Sequence, residues 1–264
     1  MVGAVAAAAG AVIGAAVAHL APRSPLGRRF ERTNHAGHTV SLAEGPAYVI
    51  GAAAAAALAG PAPVIATLGA GAFGAIDDFA GDSRSKGLTG HLGALGQGQV
   101  TTGAVKILGI GASGLVAACV VDRGTRHPFV STLVGGAVIA GAANLGNLLD
   151  LRPGRALKVV VLTAAPVLVI GDQGSRTAAA AAIGTAFGLL PEDLAGRTML
   201  GDTGANAAGA LVGTALVGSL GLLGRLGTLA VLGALTIASE NVSFTKVIES
   251  TPVLRQLDAF GRRG

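Results

Sequence analysis

Residues 101–121 read TTGAVKILGIGASGLVAACVV, a block in which Lys106 is the one charged side chain. Wound as a helix, a stretch of this length matches the hydrocarbon core of a bilayer, roughly 30 Å thick. Blocks of the same kind recur at roughly 2–20, 43–60, 62–79, 129–148, 156–171, 177–191, 204–222 and 225–239, separated by short charged segments. The expected fold is therefore all-α, a polytopic transmembrane helix bundle of about nine spans. Residues 1–240 make up the transmembrane domain and 241–264 a cytoplasmic amphipathic tail. Val247, Ile248, Val253, Leu254, Leu257 and Phe260 alternate there with charges, as in a segment lying along a membrane surface. A β-barrel is set aside, because the blocks lack its alternation of apolar and polar residues.

Composition agrees. Of 264 residues, 51% are hydrophobic and only 12% charged, with a mean hydropathy of +0.65. Soluble domains carry roughly 25% charged residues, so this chain cannot cover a water-facing surface, and a soluble nucleotide-binding enzyme is excluded. With 43 Gly and no Trp, its helices can approach backbone to backbone rather than around aromatic fillers. Cys119 is the single cysteine, so neither a disulfide framework nor a cysteine metal site is available, and it reads as a packing residue. The net charge of +5 does not point to nucleic acid, since the basic residues lie in separate loops without interleaved aromatics.

Those basic residues report topology instead. Fourteen of the nineteen Lys and Arg fall on one side of the nine-span scheme, four (Arg123, Arg126, Arg176 and Arg225) on the other, and Lys106 sits near the start of a span. The positive-inside rule makes the rich side cytoplasmic, with the N-terminus outside and the C-terminal tail inside, as in a multi-pass protein of the inner (plasma) membrane. The first block is read as a retained helix. No positive charge precedes it and four arginines follow, the reverse of a signal peptide's order.

Acidic residues at a membrane boundary are costly and suggest function. Three clusters stand out: Ala75-Ile76-Asp77-Asp78-Phe79 with Gly81-Asp82 and Lys86-Gly87-Leu88-Thr89-Gly90; Asn144, Asn147 and Asp150, spaced by three so as to share a helix face; and Gly201-Asp202-Thr203-Gly204. Each alone could be a helix cap or a turn. Together they put hard oxygen donors on the basic side of the membrane, which is what Mg²⁺ and a phosphorylated substrate require. His35, His38, His91 and His127 show no metal-ligand spacing and read as loop residues, His91 being the one worth testing.

In this order, the three motifs resemble those of the polyprenyl-phosphate N-acetylhexosamine-1-phosphate transferase family, over residues 20–240 or so. The resemblance implies Mg²⁺-dependent transfer of a sugar 1-phosphate from a nucleotide sugar, a UDP-sugar foremost, to a polyprenyl phosphate for cell-envelope glycopolymer synthesis. Carried over by position, Asp77 and Asp78 would be catalytic, deprotonating or orienting the lipid phosphate. Asp202, with Asp78, would ligate Mg²⁺. Asn144, Asn147 and Asp150 would line the nucleotide side, and Lys86, Arg152, Arg155 and Lys246 would hold phosphate charge. Partners would be the lipid, the nucleotide sugar and the bilayer; a homo-oligomer is compatible with the sequence.

The chain also departs from the family. Where a second Asp follows the Asn-Asp series, this chain has Pro153, within Leu151-Arg152-Pro153-Gly154-Arg155. The family's His-rich loop is replaced by Ser239-Glu240-Asn241-Val242-Ser243-Phe244-Thr245-Lys246, and the last span is missing. These departures support an alternative, a catalytically altered relative that binds lipid phosphate or nucleotide sugar as a scaffold or regulator. A transporter ranks last, because its charges would lie mid-span.

Overall fold

The computed structural model describes residues 1–25, 27–33, 37, 39–80, 101–125 and 128–262. Nearly every ordered element is helical: α1 (Val2–Leu20), α2 (Glu44–Ala56), α3 (Pro61–Ala80), α4 (Thr102–Val121), α5 (Pro128–Leu149), α6 (Arg155–Ala164), α7 (Val167–Ile170), α8 (Gln173–Leu194), α9 (Gly201–Ser219), α10 (Leu222–Asn241), α11 (Phe244–Ser250) and α12 (Pro252–Ala259). The expected block at 156–171 is two short helices, broken where Pro166 has no N–H to continue the ladder. One element departs from the all-α expectation. Glu31–Thr33 (β1) and Thr39–Ser41 (β2) pair as a small antiparallel ribbon, too short to show in a hydropathy pattern.

Several helix starts are capped locally. The Thr101 hydroxyl accepts from Ala104 N–H ahead of α4, and the Asp172 carboxylate accepts from Ser175 N–H ahead of α8. Helix α9 has no such cap, because its N-cap position is Leu200.

Helix α9 is the axis of the bundle, packed by α2, α3, α5 and α8, and it joins two apolar clusters. One cluster centres on α1, α2, α6 and α8, the other on α3, α4, α5 and α10. Small residues set the spacing. A Cβ on Gly209 would overlap the Ala142 carbonyl of α5, and one on Gly74 would overlap the Asp202 carbonyl of α9. Backbones in contact at these two points leave no freedom for α9 to slide.

Among the described residues, four helices are long and apolar enough to cross a membrane: α1 with its extension to Arg23, α4, α5 and α10. Each leaves large apolar side chains exposed, among them Val12, Leu108, Val116, Phe129, Leu223 and Ile237, a surface unsuited to water. The enclosed α9 faces protein nearly all round, so it tolerates Asn, Thr and Gly where a lipid-facing helix would carry Leu or Val.

The end of the bundle away from the acidic motifs is tied by a buried ion pair. Arg225 of α10 meets both Asp122 oxygens at 2.9 Å and also donates to the Ser131 hydroxyl and to the Val217 and Leu220 carbonyls. Both partners are buried. Arg225→Ala strands the Asp122 charge, so the protein is expected to lose about 3–5 kcal/mol of stability. Thermal unfolding in detergent measures this.

Candidate functional site

The site is assembled at the opposite end, where α3 ends and α9 begins. Asp78 supplies the cap that α9 lacks: one carboxylate oxygen accepts from Asp202 N–H at 3.0 Å, the other from Thr203 N–H at 2.8 Å and from the Thr203 hydroxyl. These are first-turn N–H groups without intrahelical acceptors, and the carboxylate also meets the positive end of the helix dipole. Gly201 takes φ +58° just before, turning the chain so that these N–H groups point at Asp78. The segment ahead is held by the ribbon, since Ser41 N–H donates to the Arg197 carbonyl and Met199 N–H to the Ser41 carbonyl. Arg32 of β1 donates to the Asp78 carbonyl and lies 5.6 Å from the centre of the Phe79 ring.

This capping places Asp202 beside Asp77. The two carboxyls face each other and share the Lys106 ammonium, which lies 2.8 Å from Asp77 Oδ2 and also contacts Asp202 Oδ2. Lys106 comes from the second turn of α4, which packs along α3. Its side chain is 16% exposed and those of the two Asp 23%, so the trio is sheltered yet reachable.

The second motif arrives at the same end. Asp150 lies in the turn after α5, facing the Gly201 N–H, with one oxygen buried and without a hydrogen bond. Burial, then the nearby charge of Asp193, push its carboxyl well above the usual carboxylate range. Asn144 donates to the Thr236 hydroxyl of α10, and Asn147 stands one turn further along α5. The turn that contains Pro153 is pinned by Asp193 of α8, whose carboxylate accepts from Gly154 N–H. Beside it, α5, α6, α9 and α10 leave a narrow apolar crevice of about 70 Å³ lined by Leu145, Leu149, Val160 and Val212.

The basic residues divide. Arg155 is buried, held by Asp258 at 2.7 Å and by the Thr245 hydroxyl, while Arg152 pairs with Glu249. Lys158 donates to the Asp258 and Leu257 carbonyls, and Arg262 also pairs with Asp258. Burial alone would raise the Asp258 pKa, but hydrogen bonds from Arg155 and Arg262 hold it below the usual range. Arg152 and Arg155 thus clasp α11 and α12 onto α6, apart from the Asp77–Lys106–Asp202 trio. Lys246 lies in α11, on the clasped segment. Lys86, Asp82, His35, His38, His91 and His127 lie outside the described residues.

Two charged side chains at this end were not among the candidate residues read from the sequence. One is Lys106, whose signal was a lone charge one turn inside an apolar block. The other is Glu44, at the start of α2, fully buried beside Thr198 and within reach of the Asp193 and Asp150 charges.

Among the described residues, no three His, Cys, Asp or Glu side chains form a ready-made metal cage. Mg²⁺ does not need one, since it commonly takes one or two carboxylates and completes its shell with water and substrate phosphate. The facing oxygens of Asp77 and Asp202 fit that donor set and already share a cation. No protein-family model matches the chain, and no curated protein matches it.

Proposed function

We propose that the chain is a Mg²⁺-dependent phosphoglycosyltransferase, spanning the inner membrane about nine times with its site at the cytoplasmic face. It moves a sugar 1-phosphate from a nucleotide sugar to a polyprenyl phosphate for an envelope glycopolymer. The observation that carries this reading is the Asp77–Lys106–Asp202 trio, locked by Asp78 at the bundle end where Asp150 also lies. The apolar flanks of α1, α4, α5 and α10 support the membrane setting.

In the reaction, an oxygen of the lipid phosphate forms a bond to the sugar-proximal phosphorus. The pyrophosphate bond breaks, and the nucleoside monophosphate leaves with the electron pair. Asp77 orients the lipid phosphate and takes any proton it carries, while Asp202 and Asp77 would hold Mg²⁺. When bound, the metal would neutralise charge on the leaving phosphate. Asp78 acts by position, fixing Asp202 through the end of α9. Lys106 adds a positive charge toward the phosphates. Asn147 and Asp150 stand on the side assigned to the nucleotide.

The test is release of nucleoside monophosphate by purified protein in detergent, given undecaprenyl phosphate, Mg²⁺ and a panel of nucleotide sugars. Release that needs both lipid and Mg²⁺ supports the transferase. One observation favours the second reading, a binding scaffold or regulator: Arg152 and Arg155 are engaged by Glu249 and Asp258. Binding of a donor without release from any donor would select it.

The tail belongs to the same proposal. Val253 and Leu257 on α12 and Phe260 just after it are exposed while Asp258 is clasped inward, so the apolar face is free to meet the leaflet surface. Because the chain contains no Trp, Phe260→Trp gives a single reporter. In vesicles, brominated lipid is expected to quench it and aqueous iodide to leave it largely unquenched. The opposite pattern would put the tail in water.

A further inference from the structure

We propose that Lys106 is a resident counter-cation that occupies the divalent-ion position between Asp77 and Asp202, so that metal and lysine compete for the pair until an anionic phosphate joins them. This inference rests on the metal-dependent reading above. Its basis is the single ammonium shared by two carboxyls that otherwise face each other, in a cluster sheltered enough that neither carboxylate is fully solvated.

Charge counting gives the consequence. With both carboxyls ionised, the two carboxylates and one ammonium leave the trio one negative charge. A divalent ion in place of the ammonium makes it neutral; a divalent ion with the ammonium still present makes it positive by one, which is favourable only beside an anion. Asp78 acts on Asp202 electrostatically as well, but its carboxylate is turned to the first N–H groups of α9, and the positive end of that helix partly offsets its charge. Lys106 therefore weakens metal binding in the empty site and favours metal and phosphate arriving together. A lysine suits this exchange: its charge is a point on a flexible stem, so it can leave the carboxylates and turn to a phosphate oxygen, which a fixed guanidinium fork does less readily. The position is set by the fold, since the ring of Phe73 on α3 sits against Gly109, three residues along α4, and holds the two helices in close contact.

The experiment is Mn²⁺ binding to purified protein in detergent, without substrate, followed by electron paramagnetic resonance. Lys106→Gln is expected to bind Mn²⁺ about tenfold more tightly than wild type, and Lys106→Arg, which keeps the charge, to stay close to wild type. Asp202→Asn is expected to lose binding. If Lys106→Gln binds no tighter while Asp202→Asn still loses binding, the metal site stands and the counter-cation role is overturned. If Asp202→Asn binds as wild type does, the metal assignment itself fails. Should Lys106→Gln not fold, Lys106→Met carries the same test with a side chain of similar length.

Discussion

Asp202→Asn is expected to cut sugar-phosphate transfer by at least about a hundredfold, the scale seen when one preorganised electrostatic contact is removed, while leaving the fold in place. The two effects separate because the contacts that hold this turn do not use the Asp202 carboxylate. Its N–H donates to Asp78 and its carbonyl accepts from Asn206, and both survive the exchange. Lys106 keeps Asp77. The lost ion pair is sheltered, but Lys106 keeps a carboxylate partner and the exchange removes one of two facing like charges, so the net loss of stability should stay near about 1 kcal/mol. Turnover and melting temperature of the same preparation check both halves. Unchanged turnover would remove Asp202 from the metal role.

Gly74→Ala is expected to damage activity from outside the site. The added Cβ overlaps the Asp202 carbonyl, which is backbone and cannot rotate away, so α9 must move relative to α3. Overpacking of this kind costs about 1–3 kcal/mol. A displacement of about 1 Å at a reacting group can cost on the order of a hundredfold in rate. Gly111→Ala is the matched control. Gly111 has open space where its Cβ would stand, and alanine is the better helix former, so that variant should be neutral or slightly more stable. Comparing the two in melting and turnover separates the effect of packing from that of adding a methyl group.

How far the sequence could be read differs between fold and site for a physical reason. Apolar blocks are local, and their helices form close to where expected: the block at 204–222 is α9 at Gly201–Ser219, and that at 177–191 lies within α8 at Gln173–Leu194. The gathering of Asp77, Asp78, Asp150 and Asp202 at one end was also legible, because charge asymmetry and block order assign each loop to a side. Which carboxylate does what was not. Asp78 is drawn into capping by Leu200, a residue 122 positions later that cannot cap its own helix, leaving Asp77 to face Asp202. Lys106 was counted only as a charge near a span, since nothing local says that it reaches across to α3 and α9. The clasp of Arg155 by Asp258 likewise joins residues 103 apart. The β1–β2 ribbon was missed because three-residue strands carry no usable period.

The proposed reaction carries sugar and phosphorus together from the nucleotide to a lipid phosphate at one end of this bundle. Its most direct measurement uses a nucleotide sugar carrying one label in the sugar and another in the sugar-proximal phosphorus, incubated with purified protein, undecaprenyl phosphate and Mg²⁺, then partitioned into organic solvent. Both labels are expected to enter the lipid phase together in equal amounts, and neither with Asp202→Asn. Sugar label entering without phosphorus, or neither label entering with the wild-type protein, would contradict it.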